Sequence, residues 1–411
     1  MACVRNEPAG RARWRRLVAT GVKGGGVSEI RVVHARGDGF ARGSRIGTEL
    51  SDLIQDSMSF YHRYLDRRGV SSGQLQDLLT PFLVAAETAY PESMSVLKGM
   101  SIGAMVPVME LFAINAFEEL EPQLESPEGE LLFLQKKEGY VSAPPRPGDP
   151  EGAASPQDSP APKTTERCSS LTVSMPGTTM LAHNEHWLSG DAGNVAVVID
   201  YPIDGRVPVA SPTVVCCLPA VGMNAHGAVQ GIGSLMASDD GVGVPRVLVS
   251  RSSLEARNRD DALARAAMPG RAGGYGHVFA FPGGDAIAIE TTGTLHRLLE
   301  GPGPHTNHYQ DPELAELAPP ASDGSRARLA RLRQLLEERR PRTPDELMDV
   351  MRDHGSTPQS ICLHPEADEY DEASACLFSM VADVEARRMW VAVGNPCIHP
   401  YEEIDLSDMR N

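Results

Sequence analysis

Residues 168–191 read CSSLTVSMPGTTMLAHNEHWLSGD. A cysteine followed by two serines opens a β-type run, Leu171 to Met175, which the Pro176-Gly177 pair interrupts. Proline pre-sets φ and glycine accepts φ > 0, so such a pair between two apolar runs signals a turn. The second run ends in the polar cluster His183-Asn184-Glu185-His186-Trp187. The stretch therefore predicts a hairpin that begins at a cysteine and carries a polar cluster at the far end of its second strand. Just upstream, seven prolines fall between Pro144 and Pro162, interleaved with Gly, Ser, Ala and Asp, and the segment stops at Arg167. Such a composition cannot bury enough apolar surface to offset its ordering entropy, which predicts disorder over 141–167. A structureless insert of that length inside one compact domain is unusual. A cut between Arg167 and Cys168 removes the difficulty and makes Cys168 a new amino terminus.

Beyond the hairpin the chain is strand-rich, with strands expected at 194–201, 212–218, 228–235, 276–281, 285–291, 374–383 and 387–393. Helices are expected at 245–257, 259–267, 325–339 and 343–353. Upstream, residues 30–34 read as a first strand. Gly37-Asp38-Gly39 and Gly43 read as a glycine-rich turn without a phosphate-binding spacing. Apolar residues then recur at helical spacing from 46 to 68, and more helix is expected at 73–90, 92–103 and 107–122. Asn115 and Glu119 lie four apart in the last of these, on one helix face, where they could support a site. The chain thus divides into a basic tail (1–29), a mainly helical segment (30–140), a proline-rich linker (141–167) and a strand-rich segment (168–411). Strands, a helical pair and strands again describe an α+β chain with helices packed on sheets.

Composition bounds the function. The 411 residues are 41% hydrophobic, enough for a full core. The formal net charge of -17 argues against nucleic acid or an anionic membrane as partner. Residues 1–23, with five arginines and one lysine against one glutamate, read as a solvated tail rather than a transit peptide. No apolar run is long enough for a membrane span, and the start does not resemble a signal peptide. Seven cysteines (3, 168, 216, 217, 362, 376 and 397) without repeating spacing form neither a disulfide framework nor a CxxC zinc site. They point to a reducing, cytoplasmic setting. Six of them read as small buried hydrophobes, and Cys168 alone has a polar neighbourhood.

Two constellations could carry chemistry. The first is a metal site built from His183, Glu185, His186, His305 and His308. It suffers from its spacing: on a strand, residues three apart point to opposite faces, and zinc favours patterns such as HExxH on a helix. The expectation is therefore no metal. The second is Cys168 with Ser169, Ser170, Asn184 and Asn307. An amino-terminal cysteine carries its own base, an α-amine of pKa ~8 beside a thiol of pKa ~8.5, and needs no separate histidine. Asparagine amides would donate to the developing oxyanion, where one donor can be worth ~3 kcal/mol.

The segment Arg167-Cys-Ser-Ser to Ala182-His-Asn-Glu-His-Trp187 resembles the isopenicillin N acyltransferase-like (acyl-CoA:6-aminopenicillanic acid acyltransferase) family of N-terminal-nucleophile (Ntn) hydrolases. The family's Cys-Thr-Thr start is similar to Cys168-Ser169-Ser170, and its Gly-His-Asn-Glu-Asp-Trp segment to Ala182–Trp187. Upstream, Leu-Asn-Ala-Arg-x-Glu is similar to Ile114-Asn-Ala-Phe-Glu-Glu119. Downstream, Gly222-Met-Asn-Ala-His-Gly227, Gly243-Val-Pro245, His305-Thr-Asn-His308 and Ser360-Ile-Cys362 follow in the family's order. The resemblance covers roughly residues 30 to 400. This sequence departs from the pattern at His186, where the family usually has aspartate, at Phe117 (arginine) and at Gly233 (asparagine).

The resemblance implies a four-layer αββα sandwich preceded by a helical segment, and a precursor that cuts itself between Arg167 and Cys168. It implies an enzyme that hydrolyses or forms an amide of a small molecule through an acyl-Cys168 intermediate. Cys168 would be the nucleophile, Asn307 the oxyanion donor, and Asn184 would orient the amine or share that task. Ser169 and Ser170 would polarise the scissile peptide, with His186, Asn115, Glu119 and Ser360 in support. No cofactor is expected, an acyl-CoA entering only as an acyl-donor substrate. The other expected partner is the chain itself, as a heterodimer of fragments 1–167 and 168–411. Two alternatives stand beside this reading: an uncleaved, non-catalytic binding protein of the same fold, and a choloylglycine-hydrolase-like amidase.

Overall fold

A computed structural model describes residues 30–124, 168–365 and 370–409. The expectations for the basic tail, for the 141–167 linker and for Arg167 fall outside these residues. The first segment holds β1 (Val32–Gly37) and six helices: α1 (Gly39–Glu49), α2 (Ser51–Arg67), α3 (Ser72–Ala89), α4 (Pro91–Ala104), α5 (Val108–Asn115) and α6 (Phe117–Leu124). The second opens on the hairpin β2 (Ser169–Met175) and β3 (Thr178–Leu188). It continues through β4 (Val195–Pro202), β5 (Val209–Val214), β6 (Gly222–Asn224) and β7 (Val229–Leu235) to α7 (Arg246–Leu254) and α8 (Arg259–Ala266). Then follow β8 (Gly274–Phe281), β9 (Asp285–Thr291), β10 (His296–Glu300), β11 (Pro304–His305), α9 (Pro312–Ala315), α10 (Asp323–Arg339) and α11 (Pro344–Met351). The last strands are β12 (Ser374–Asp383), β13 (Arg388–Val393) and β14 (Glu402–Ile404).

These strands form two sheets. One has eight strands in the order β1-β4-β5-β6-β7-β8-β9-β10, and the other six in the order β11-β2-β3-β12-β13-β14. Only β1, paired with β4, runs parallel to its neighbour. The sheets face each other through β2 and β3 against β7 and β8. Helices α7 and α8 cover the eight-stranded sheet, and α10 and α11 cover the six-stranded one. The result is the αββα layering that the resemblance implied. Strands β5 and β8 are buried along their whole length because helices or the other sheet lie on both faces. Edge strand β10 alternates between exposed and half-buried residues, too polar a pattern for the sequence reading to pick out.

Two local expectations need correction. The glycine-rich run after β1 opens a helix instead of forming a turn: the Asp38 side chain caps α1 by accepting from Ala41 N. Its glycines fall four apart (Gly39, Gly43, Gly47), on the stripe of α1 that meets Gly99 and Gly103 of α4. A Cβ on Gly43 would stand 1.9 Å from the Val96 carbonyl oxygen, and one on Gly99 2.2 Å from the Phe40 oxygen. The two backbones touch, and only glycine allows it. The second correction is that the expected helix 107–122 breaks at Ala116 into α5 and α6. Asn115 Nδ2 donates to Leu111 O at 2.8 Å and to Cys216 O at 2.9 Å, while Asn115 Oδ1 accepts from Leu218 N at 2.8 Å. This side chain competes for the helix's own carbonyl and locks the 216–218 turn. Asn115 and Glu119 are both buried, but they serve different neighbours.

Candidate active site

The two-residue Pro176-Gly177 turn pairs Met175 with Thr178, and the register runs back to Ser169 opposite Asn184. Alternation then separates the functional side chains by face. His183 and Glu185 point between the sheets: a Cβ on Gly231 of β7 would stand 3.2 Å from His183 Nδ1. Asn184 and His186 point to the helical layer. Asn184 Nδ2 donates to Met351 O at 3.0 Å and Ile361 O at 2.8 Å, and His186 Nε2 lies 3.0 Å from Ile361 O.

Cys168 lies at the mouth of the hairpin, buried, with φ +86°. A non-glycine residue in that region is strained, and strain of this kind gathers at functional sites. Its thiol donates to Glu185 Oε1 at 3.2 Å, and the His186 backbone N–H points at the sulfur. Glu185 Oε2 lies 3.0 Å from His183 Nε2, and His183 Nδ1 lies 2.9 Å from Ser170 Oγ. The four side chains form one chain of polar contacts: thiol, carboxylate, imidazole, hydroxyl. With Nε2–H aimed at the carboxylate, Nδ1 accepts from the serine. Burial, and then the Glu185 carboxylate, hold the thiol well above its ordinary pKa. The sulfur is therefore protonated at rest, and an acceptor already touches its proton.

On its other side β2 pairs with β11, Ser170 opposite His305. Extending that antiparallel register by two residues places Asn307 across from Cys168. Asn307 Oδ1 accepts from Arg328 Nη2 at 2.7 Å, Asn307 N donates to Ser325 Oγ at 2.9 Å, and Asn307 Nδ2 donates to Ser234 O of β7 at 3.4 Å. Its amide thus faces the same inter-sheet space as Glu185. Ser234 Oγ donates in turn to Glu118, whose neighbour Glu119 is bound by Arg246 at 2.8 Å. Arg246 also reaches Asp240 at 2.6 Å. Burial raises the pKa of Glu119 and Asp240 while Arg246 opposes the rise. These groups line a cavity of about 220 Å³ with Pro122 and Met236. Cys168 is not in its lining, but Glu118 is close enough to contribute to the field at the sulfur.

Among the expected site residues, the structure brings Cys168, Ser170 and Asn307 to one face. It turns Ser169, Asn184 and His186 to the other. Ser169 Oγ, Asn184 Oδ1 and His186 Nδ1 are buried there without a protein partner. Burial, followed by Arg328, pushes His186 well below its ordinary pKa, so it is neutral near pH 7. Ser360 Oγ donates to Cys362 O at 2.7 Å and shapes the loop beneath Asn184. Asn115 and Glu119 stand further back. Glu185 and His183 entered the sequence reading only as metal ligands, yet they are the groups nearest the thiol. Residue 186, usually aspartate in the family and histidine here, faces away from the sulfur, and the carboxylate against the thiol comes from Glu185, which the family's motif also carries. Phe117 packs against Tyr61 and Trp187 at centroid distances of 5.5 and 5.6 Å, which gives that departure a packing role.

The histidines considered for a metal are not gathered together. His305 Nε2 lies 2.8 Å from Glu290 Oε1 and His308 Nδ1 2.7 Å from Ser325 Oγ. Burial and the nearby His305 lower the His308 pKa to about 4. Cys168, His183 and Glu185 do offer three donor atoms within 4.8 Å of one another. No helix among the described residues is long and apolar enough to cross a membrane.

Comparison with known proteins shows a family match in sequence. The profile described as acyl-coenzyme A:6-aminopenicillanic acid acyl-transferase matches residues 175–397, beginning just after Cys168 and covering more than half of the chain. No curated protein matches the sequence. Similar solved structures include penicillin V acylase from Agrobacterium tumefaciens, 12% identical with a TM-score of 0.41, covering 58% of this chain and 86% of that one. A variant of conjugated bile acid hydrolase from Clostridium perfringens is 10% identical with a TM-score of 0.43, covering 59% of this chain and 94% of the other.

Proposed function

The chain belongs to the acyl-coenzyme A:6-aminopenicillanic acid acyl-transferase family, and from that premise we propose that it is a self-processing cysteine amidohydrolase or acyltransferase acting through an acyl-Cys168 intermediate. The observation that carries the reading is the buried Cys168 thiol donating to Glu185 at 3.2 Å. In the precursor, Glu185 takes the thiol proton as Sγ attacks the carbonyl carbon of residue 167. The C–N bond breaks, the proton passes to the departing Cys168 nitrogen, and a thioester links the upstream chain to Sγ. Water then hydrolyses the thioester, releasing a carboxylate on residue 167 and the free thiol. The strained φ at Cys168 favours relief by this cut.

In the matured site the freed α-amine takes over as the proton carrier. Sγ attacks the acyl carbon of a small-molecule amide or acyl donor, Asn307 Nδ2 turns from the Ser234 carbonyl to the oxyanion, and the leaving group, an amine from an amide or a thiol from an acyl thioester, departs with the proton. Water or a second amine resolves the acyl-cysteine. Asn184 and His186 act from behind β3 by fixing the strand that carries Glu185. The cavity beside Glu118 is the place for the part of the substrate remote from the reacting carbonyl. Its size suits a small group, and its carboxylates suit one that donates hydrogen bonds.

Intact mass on denatured, freshly purified protein tests the reading. Wild type should give two fragments, 1–167 and 168–411. Cys168→Ser should cut slowly, because serine is the weaker nucleophile, and Cys168→Ala should remain one folded, inactive chain. Cleavage of the alanine variant at the same bond would assign the cut to an outside protease and sink the self-processing claim. A wild-type chain that stays whole yet binds small amides without turnover would favour the non-catalytic alternative.

A further inference from the structure

Away from Cys168, two loops bring four metal-ligating side chains together. His354 follows α11, Cys362 and His364 lie ten residues or fewer further on, and Cys397 lies in the turn after β13. One donor atom from each falls within 4.8 Å of all the others. His354 Nε2 lies 3.1 Å from His364 Nε2, which lies 3.2 Å from Cys397 Sγ and 3.8 Å from Cys362 Sγ. A tetrahedral zinc with Zn–S near 2.3 Å and Zn–N near 2.0 Å has ligand-to-ligand edges of roughly 3.3 to 3.8 Å. These three separations run from 3.1 to 3.8 Å. Asn395 Nδ2 donates to Cys362 Sγ at 3.5 Å and to Leu363 O at 2.7 Å, the outer hydrogen bond that a metal thiolate attracts.

We propose that His354, Cys362, His364 and Cys397 bind one zinc ion in a closed, structural Cys2His2 site. Two sulfurs and two imidazoles select zinc over the hard cations, which take oxygen. Both thiols lose their protons to solvent on binding, and both histidines bind through Nε2. Four protein donors complete the tetrahedron, so the ion activates no water. Its effect is mechanical. It ties the loop after α11 to the 395–399 turn, itself closed by the Ile398 and His399 N–H groups on Asn395 O. Between the ligands lies Ile361, whose carbonyl accepts from Asn184 and faces His186. The ion therefore braces the loop on which the back of β3 rests. Cys397 is exposed, which provides the route of entry.

The experiment is metal analysis of the full chain, expressed with added zinc and purified without chelator. It uses Cys168→Ala, which removes a donor from the other three-residue group and cannot confuse the two. The expected result is about one zinc per chain, falling at least about fivefold when Cys397→Ser or His364→Ala is added. Cobalt(II) bound to the Cys168→Ala chain should give the visible bands of tetrahedral thiolate coordination, a readout that does not depend on the Cys397 or His364 variants folding. A metal-free Cys168→Ala chain with Cys362 and Cys397 freely alkylated, or joined to each other as a disulfide, overturns the proposal. Metal content is independent of self-cleavage, so the two readings fail separately.

Discussion

In the proposed self-cleavage, Glu185 is the residue on which the chemistry turns. A protonated, buried thiol is a poor nucleophile until its proton has somewhere to go, and before the cut there is no free amine to take it. Glu185→Gln keeps the shape and removes the acceptor. Positioned bases are worth 10²–10⁴-fold, so self-cleavage should slow by about 10²-fold or more. The rate at which the two fragments appear after synthesis measures this, and an unchanged rate would show that Glu185 is a bystander. The pairing was legible in the sequence. A two-residue turn at 176–177 fixes Met175 opposite Thr178, and counting back brings Cys168 opposite Glu185. Strand alternation sets His183 and His186 on opposite faces, where the structure places them. Asn184 shows the reverse case: the motif contains it, but parity turns its amide toward Met351 and Ile361. The Cys2His2 cluster was illegible for another reason, since its ligands come from an unfamiliar spacing and its fourth lies beyond two strands.

At the scale of elements, the contact between α1 and α4 depends on having no side chain at its centre. Gly43→Ala would drive a methyl into the Val96 carbonyl, 1.9 Å from where its Cβ would stand. The backbone cannot yield as a flexible side chain does, so the expected loss is ~3 kcal/mol, at the upper end of overpacking. Thermal unfolding measures it, and an unchanged melting temperature would mean that the helices do not approach this closely. The turn after β3 carries a second device. Burial raises Asp191 from an ordinary 3.8 to about 6, although Ser57 Oγ donates to it at 2.6 Å. The folded state holds that proton more tightly than the unfolded one. The site's contribution is therefore full below about pH 4 and is lost as the pH climbs to about 6, at most ~3 kcal/mol. Asp191→Asn should remove that slope and raise the melting temperature at pH 7.5. A variant whose stability still falls over the same window would place the titration elsewhere. Long apolar-periodic elements such as α2 and α10 were legible from pattern alone. The break at Ala116 was not, because it arises from an asparagine bonding to its own helix and to a turn a hundred residues away.

At the scale of the molecule, the expected cut does not separate two domains. Strand β1 lies upstream of it and pairs along its length with β4 downstream, from Val32 opposite Val197 to Gly37 opposite Pro202. Arg42 of α1 donates to Asp200 of β4 at 2.6 and 2.5 Å with both side chains buried, and Arg246 of α7 reaches Glu119 of α6. Trp187 Nε1 donates to Tyr61 OH at 2.5 Å within an aromatic cluster drawn from both segments. One hydrophobic core contains residues from before and after the junction. Fragments 1–167 and 168–411 should therefore co-elute in size-exclusion chromatography at the mass of the whole chain. Salt distinguishes this from a surface complex. At 1 M ionic strength the screening length is about 3 Å, which dissolves exposed ion pairs and spares buried ones. Elution should be the same at low salt and at about 1 M, with separation only where denaturant also unfolds the core. Fragments that part in salt alone would show that charge, and not the shared sheet, holds the matured protein together.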